Sequence, residues 1–172
     1  NGQLVQNNIP ANTPFYTVSG LNQATLYTLK VTSVDSSNNE SSGTSGSFAT
    51  WLPNPGGVQV EGEDGRVVVS WNGVSPSNLV ASFNLYVSPS PFTTIEGLTP
   101  AVSVGASARE AEIAGLTNGQ TYFVAVTAVN ISGGERTNVV SYGVIPSPDL
   151  EGPVLTNALI GTQQLIDGVT VD

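Results

Sequence analysis

The chain contains no cysteine, no histidine and no methionine. Without cysteine there is no disulfide, no thiolate metal ligand and no cysteine nucleophile. Without histidine the commonest general base and the commonest zinc ligand are missing. Basic residues are scarce: Lys and Arg number 4 against 13 Asp and Glu, a formal net charge of -9 over 172 residues. That balance repels a phosphate backbone, which excludes nucleic acid as a partner, and it disfavours anionic membrane surfaces. No apolar run reaches the ~20 residues of a membrane-spanning helix, so membrane insertion is not expected. The missing methionine, with an opening "NGQLVQNN" that does not read as a signal peptide, leads to the expectation of a piece of a longer polypeptide.

What is present is a repeat. The stretch "GLNQATLYTLKVTSVD" at residues 20–35 is restated as "GLTNGQTYFVAVTAVN" at residues 115–130. Leu21 matches Leu116, Tyr27 matches Tyr122, Val31 matches Val126 and Val34 matches Val129; Glu40 and Glu135 align in the loop that follows. A period of about 95 residues is too long for a solenoid unit and suits a whole β-sandwich domain.

The second copy reads as seven short strands separated by Gly, Pro, Asn and Ser. Residues 58–60 and 66–71 form a hairpin through Glu63-Asp64-Gly65, with Val67, Val69 and Trp71 on one face. "SFNLYV" puts Phe83, Leu85 and Val87 on one face, and "AVSV" at 101–104 is a short strand. "EAEIAGL" turns Ala111 and Ile113 inward and Glu110 and Glu112 outward. "TYFVAVTAV" aligns Tyr122, Val124, Val126 and Ala128, and residues 138–144 close the set. No segment sustains a 3.6-residue apolar period, so helix is not expected. Seven alternating strands bury their apolar faces only as two sheets packed face to face. Trp71 is then a core residue whose indole N–H needs a backbone or water partner.

This order of elements, with no cysteine pair, resembles the fibronectin type III family. Trp71 late in the second strand, "AGL" before the sixth, and Tyr122 six residues after Leu116 carry the resemblance. It implies that Tyr122 is a tyrosine corner, its hydroxyl tying the strand start to upstream backbone. Leu21 and Tyr27 repeat the spacing, so Trp71, Leu116, Tyr122, Leu21 and Tyr27 are the expected structural residues. The fold class implied is all-β: tandem fibronectin type III (immunoglobulin-like) sandwiches, with residues 52–146 complete. Residues 1–51 would be the C-terminal part of a preceding domain and 147–172 the start of a third. The middle, "SPSPFTTIEGLTPAVSVGAS", is long for the family. In residues 1–51, "FYTVSGL", "TLYTLKVTSV" and "SGSFATW" are three expected strands without counterparts of "VVVSW" and "SFNLYV". Their core face is expected to be covered by neighbouring domains of the same polypeptide or by a second chain that completes this half-domain.

Candidate sites weigh lightly against this scaffold. Glu110 and Glu112 lie roughly 7 Å apart at ~3.3 Å rise per residue, near the ~6.5–9.5 Å of inverting glycosidases. Their face is the solvent face, however, and a solvated strand is the plainer reading. "DSSNNES" at 35–41 is rich in oxygen but lacks the calcium-loop spacing, and reads as a hairpin loop shaped by Asn and Asp turns. Asp149 and Glu151 are the one metal alternative, calcium at a domain junction; otherwise no cofactor is expected. Asn39 in "NES" and Asn130 in "NIS" match the glycosylation pattern in equivalent loops, where the acceptor must be exposed, but in a bacterial protein the pattern carries no meaning. That second loop reads "ISGGER" and lacks Arg-Gly-Asp, so integrin binding is not expected. Tyr86 and Phe92, near an expected edge strand, form a candidate ligand platform for polysaccharide, with Tyr142 and Trp51 as further exposed aromatics. Pro89 and Pro91 would keep that edge from pairing. The expected function is a non-enzymatic structural spacer or interaction module in an extracellular multidomain protein or fibre, secreted or at a bacterial cell surface. The alternative is a carbohydrate-binding or adhesive module attached to a secreted polysaccharide-degrading enzyme or an adhesin.

Overall fold

Strands form where apolar residues alternate and a partner strand is at hand. The computed structural model describes residue 6, residues 9–148 and the backbone of residues 165–166 and 169–170. β1 (Leu26–Val31) and β2 (Thr44–Ala49) pair antiparallel with each other, Tyr27 opposite Phe48 and Leu29 opposite Gly46. β3 (Gln59–Glu63), β4 (Arg66–Ser70) and β7 (Glu110–Ala114) make a three-stranded sheet. β5 (Val80–Ser88), β6 (Val102–Gly105), β8 (Tyr122–Asn130) and β9 (Tyr142–Val144) make a four-stranded one in the order β6-β5-β8-β9. A short 3-10 turn, Ser77–Leu79, leads into β5. β10 (Leu165–Ile166) and β11 (Val169–Thr170) pair with each other.

The two larger sheets face each other across one core. Val67 and Val69 of β4, with Trp71 just after it, and Ile113 of β7 meet Phe83, Leu85, Val124, Val126 and Ala128 from the opposite sheet. The Trp71 and Phe83 rings touch at 5.4 Å between centroids, tilted by 56°. Burying such side chains contributes roughly 1.5–3 kcal/mol each. The Trp71 indole nitrogen is buried and meets no protein acceptor, which leaves water as its partner of the two expected. A second cluster lies on the outer face of the four-stranded sheet. There Tyr86 and Ala125 pack against Ile95 and Val139, with Phe92 at the margin.

That second cluster corrects the expected platform. Tyr86 is only 3% exposed, and β5 is an interior strand rather than an edge. The long middle segment covers it by pairing loosely with the segment before β9. Ile95 N donates to Thr137 O and Val139 N to Thr93 O, each at 2.9 Å. Phe92 N donates to Ser141 Oγ at 3.0 Å, and the Phe92 ring packs, half-buried, against the second cluster. Pro89 and Pro91 therefore sit in this flap and guard no edge.

A second correction concerns "FYTVSGL", which is not a strand; Phe15 is 78% exposed. In the second copy the matching residues are β7, which exists because β4 pairs with it from Arg66 opposite Ala114 to Ser70 opposite Glu110. No strand equivalent to β4 stands beside residues 15–21 among those described, and alternation without a partner leaves extended chain.

Candidate functional site

The repeated sequence folds into a repeated corner. Tyr122 Oη accepts a hydrogen bond from Thr117 N at 3.2 Å, and Tyr27 Oη accepts one from Asn22 N at 3.0 Å. Leu116 is half-buried against the main core, and Leu21 is half-buried at the matching place. In each corner a turn amide then grips the chain that leaves that copy. Ala24 N donates to Trp51 O at 2.9 Å, and Gly119 N donates to Pro146 O at 2.8 Å. Both residues have positive φ, 52° for Ala24 and 79° for Gly119. Glycine adopts that conformation freely, whereas alanine does so at a steric cost.

The loop after each corner strand is repeated just as closely. Asp35 Oδ1 accepts from Ser37 N at 2.8 Å and from Asn39 N at 2.9 Å. Asn130 Oδ1 accepts from Ser132 N at 2.9 Å and from Gly134 N at 2.8 Å. Asn38 at φ 63° and Gly133 at φ 78° make the same left-handed turn. Val34 bridges to Glu40, and Val129 bridges to Glu135. Hydrogen bonds from Asn39, by its side chain first and then its backbone, hold the Asp35 carboxyl below the usual carboxylate range.

The two loops differ in what else they hold. Asn130 is completely buried, and its Nδ2 donates to Ala49 O at 3.0 Å and Thr50 O at 3.1 Å. Ser132 Oγ accepts from Ala49 N at 2.8 Å, and an Arg136 guanidinium N–H donates to Gln23 Oε1 at 2.7 Å. The segment joining the two copies is thus clasped from both sides, by the first corner and by the second loop. Leu52, immediately after, is fully buried in the main core. The loop placement that would expose an acceptor therefore does not hold for Asn130, which is buried. Its amide is spent on backbone carbonyls inside the protein, while Asn39 is exposed and bonds Asp35 Oδ2 at 2.9 Å.

Glu135 ties the same loop to the sheet. Its carboxylate accepts from Asn84 Nδ2 at 3.0 Å, from Tyr86 Oη at 2.9 Å and from Thr127 Oγ1. Burial, then the Glu135 hydrogen bond and charge, push the Tyr86 phenol up to about 12. Glu40, the matching residue, is exposed. Glu110 and Glu112 are exposed on β7, and Glu112 accepts from Arg66 at 3.2 Å, so they lie on a solvated strand face rather than in a cleft. Trp51 is exposed beside the clasp and Tyr142 is half-buried. Asp149 and Glu151 lie outside the described residues. The sequence reading missed the clasp itself. The only signal for it was the replacement of Asp35 by Asn130 within an otherwise matched loop.

Comparison with known proteins agrees with this architecture. The fibronectin type III domain family model matches residues 53–143. A search of curated proteins gave no match. Among solved structures, the FN1–FN3 domains of chicken CNTN1 are similar at 19% identity and a TM-score of 0.51, covering 74% of this chain and 45% of that one. This chain thus spans less than half of that segment. A two-domain fibronectin type III segment from chicken tenascin is similar at 23% identity and a TM-score of 0.45, covering 80% of this chain and 74% of that one. An Fn3-like protein from Clostridium thermocellum is similar at 21% identity and a TM-score of 0.44, covering 60% of this chain and all of that one, 100%.

Proposed function

The chain belongs to the fibronectin type III family, typically non-catalytic structural or interaction modules, and we propose that it is a spacer segment of a tandem array. Residues 52–146 are one complete sandwich, residues 1–51 the C-terminal part of the domain before it, and residues 147–172 the start of the next. The observation that carries the reading is the clasp at residues 49–52, where the corner of one copy and the loop of the other grip the same short segment. A flexible tether needs no such bonds; a strut that holds its neighbours at a set angle does. The array works by geometry, placing other domains at a distance in an extracellular protein or fibre, secreted or at a bacterial surface.

The hairpin β1–β2 presents Tyr27, Leu29, Val31 and Phe48 on one face, and Val31 is 70% exposed. On the second copy the equivalent strand β8 lies beside β5 and under β4. Strands of the same kind, supplied by the same polypeptide, cover β1–β2 in the array. With Tyr86 inside the protein, the Tyr86 and Phe92 pair gives the polysaccharide alternative no support.

Sedimentation of the chain over a range of concentrations, with affinity electrophoresis in soluble polysaccharides, tests the spacer. The expected result is one species near 17.7 kDa with no retardation. A concentration-dependent dimer would make a second chain the cover of β1–β2, and retardation would restore the carbohydrate-binding alternative.

A further inference from the structure

We propose that the residue opening the loop after the corner strand decides whether a copy is stapled to the chain segment that enters it: asparagine staples and aspartate does not. The inference rests on the spacer reading and assigns its rigidity to one side chain, Asn130, rather than to the prolines of the linker.

The two loops supply an internal control. Their side-chain oxygens do the same work, closing a turn on the amides two and four residues ahead. They also share the backbone closure: Asp35 N donates to Asn39 O at 3.0 Å and Asn130 N to Gly134 O at 2.9 Å. Closure therefore needs only an acceptor, and either residue supplies one. The second terminal atom separates them. In Asn130 it is an amide nitrogen with two hydrogens, directed at the carbonyls of Ala49 and Thr50. In Asp35 it is a carboxylate oxygen, which can only accept, and it takes its hydrogen bond from Asn39 of its own loop. A carboxylate at the buried Asn130 position would face two carbonyl oxygens with no proton to share, an arrangement that burial makes strongly unfavourable.

The surface recognised is backbone, so it fits whatever residues occupy the linker. The remaining loop contacts, Ser132 to Ala49 and Arg136 to Gln23, lie at the rim and follow from the placement that Asn130 sets. By the same chemistry the Asp35 side chain offers no donor to a segment arriving there. An array built of both kinds of loop has stiff joints and free ones, chosen by a single residue.

The test is the Asn130→Asp variant of the 172-residue chain, followed by residual dipolar couplings and amide relaxation. The folded Asp35 loop shows that aspartate can close this turn. In the unaltered chain the amides of β1–β2 and of β4, β5 and β8 are expected to share one alignment tensor and one correlation time. In Asn130→Asp the common tensor is lost and β1–β2 takes a shorter correlation time, while the amide shifts of β4 and β5 stay in place. A shared tensor that survives Asn130→Asp overturns the proposal and leaves the rigid spacer standing. Two tensors, or unstructured β1–β2 amides, in the unaltered chain overturn both. Should Asn130→Asp not fold, the double variant Ser132→Ala, Arg136→Ala decides: with the Asn130 amide still on Ala49 O and Thr50 O the common tensor is kept, and its loss would move the staple to the rim contacts and overturn the proposal.

Discussion

The loops at 35–40 and 130–135 are closed by matching hydrogen bonds from matching positions, yet one lies open to solvent and the other sits at the centre of the molecule's polar contacts. Glu40 is exposed, while Glu135 collects three donors; Asp35 bonds within its own loop, while Asn130 reaches a different part of the chain. The difference comes from what stands beside them. Asn84 and Tyr86 belong to β5, and the first copy has no such strand among the described residues. Local sequence closes a loop, and neighbouring strands decide whether that loop carries load.

The largest expected effect contrasts the cores of the two copies. Phe83→Ala removes a fully buried ring between the sheets and should cost ~3–5 kcal/mol in urea unfolding followed by Trp71 fluorescence. Val31→Ala on the open face of β1 should change stability by no more than about 0.5 kcal/mol. A cost for Val31→Ala close to that of Phe83→Ala would mean that the β1 face is covered in solution, and the contrast would collapse.

Next is the Glu135 latch, which the first loop lacks. Tyr86→Phe takes a donor from a carboxylate and should cost about 1.5–3 kcal/mol. The phenol, pushed up to about 12 from an ordinary 10.0, is bound in its neutral form. Its stabilisation is therefore complete below the ordinary value and is lost as the pH rises through the raised one, a difference on the order of 2 kcal/mol. Urea midpoints at the two ends of that window should fall further for the unaltered protein than for Tyr86→Phe. Equal falls would show that the phenol is not held by Glu135.

The smallest effect is the titration of the first loop. The Asp35 carboxyl is held below its ordinary 3.8 by the Asn39 side chain first, then by backbone amides. Its contribution to loop closure is present above that value and disappears as the pH falls through the lowered one. The Asn39 amide shifts should follow this midpoint, while the Gly134 amide, bonded to a carboxamide, should not. A midpoint at or above 3.8 would break the equivalence drawn between the loops.

Much of this was legible in the residues. Tyr27 and Tyr122, each six residues after a leucine, marked both corners, and the alternation of Val67, Val69 and Trp71 marked the core. Three things were not legible. Tyr86 looked like an exposed aromatic because its cover comes from residues 92–95 and 137–139, far away in sequence. Residues 15–21 read as a strand because alternation is local, whereas pairing requires β4 or its equivalent. Asn130 read as a residue of an exposed loop because its partners, Ala49 and Thr50, lie some eighty positions upstream and are backbone atoms, which leave no trace in side-chain patterns.

By itself, then, the sequence determined the strand faces, the turn at each corner and the closure of each loop. These depend on contacts within a few residues and on the two-residue period of a strand. Only the tertiary structure decided which loop is buried, which aromatic is covered and where the chain is clasped. Each of those outcomes depends on groups brought together from distant positions, and burial turns an ordinary polar side chain into one that must find its partners.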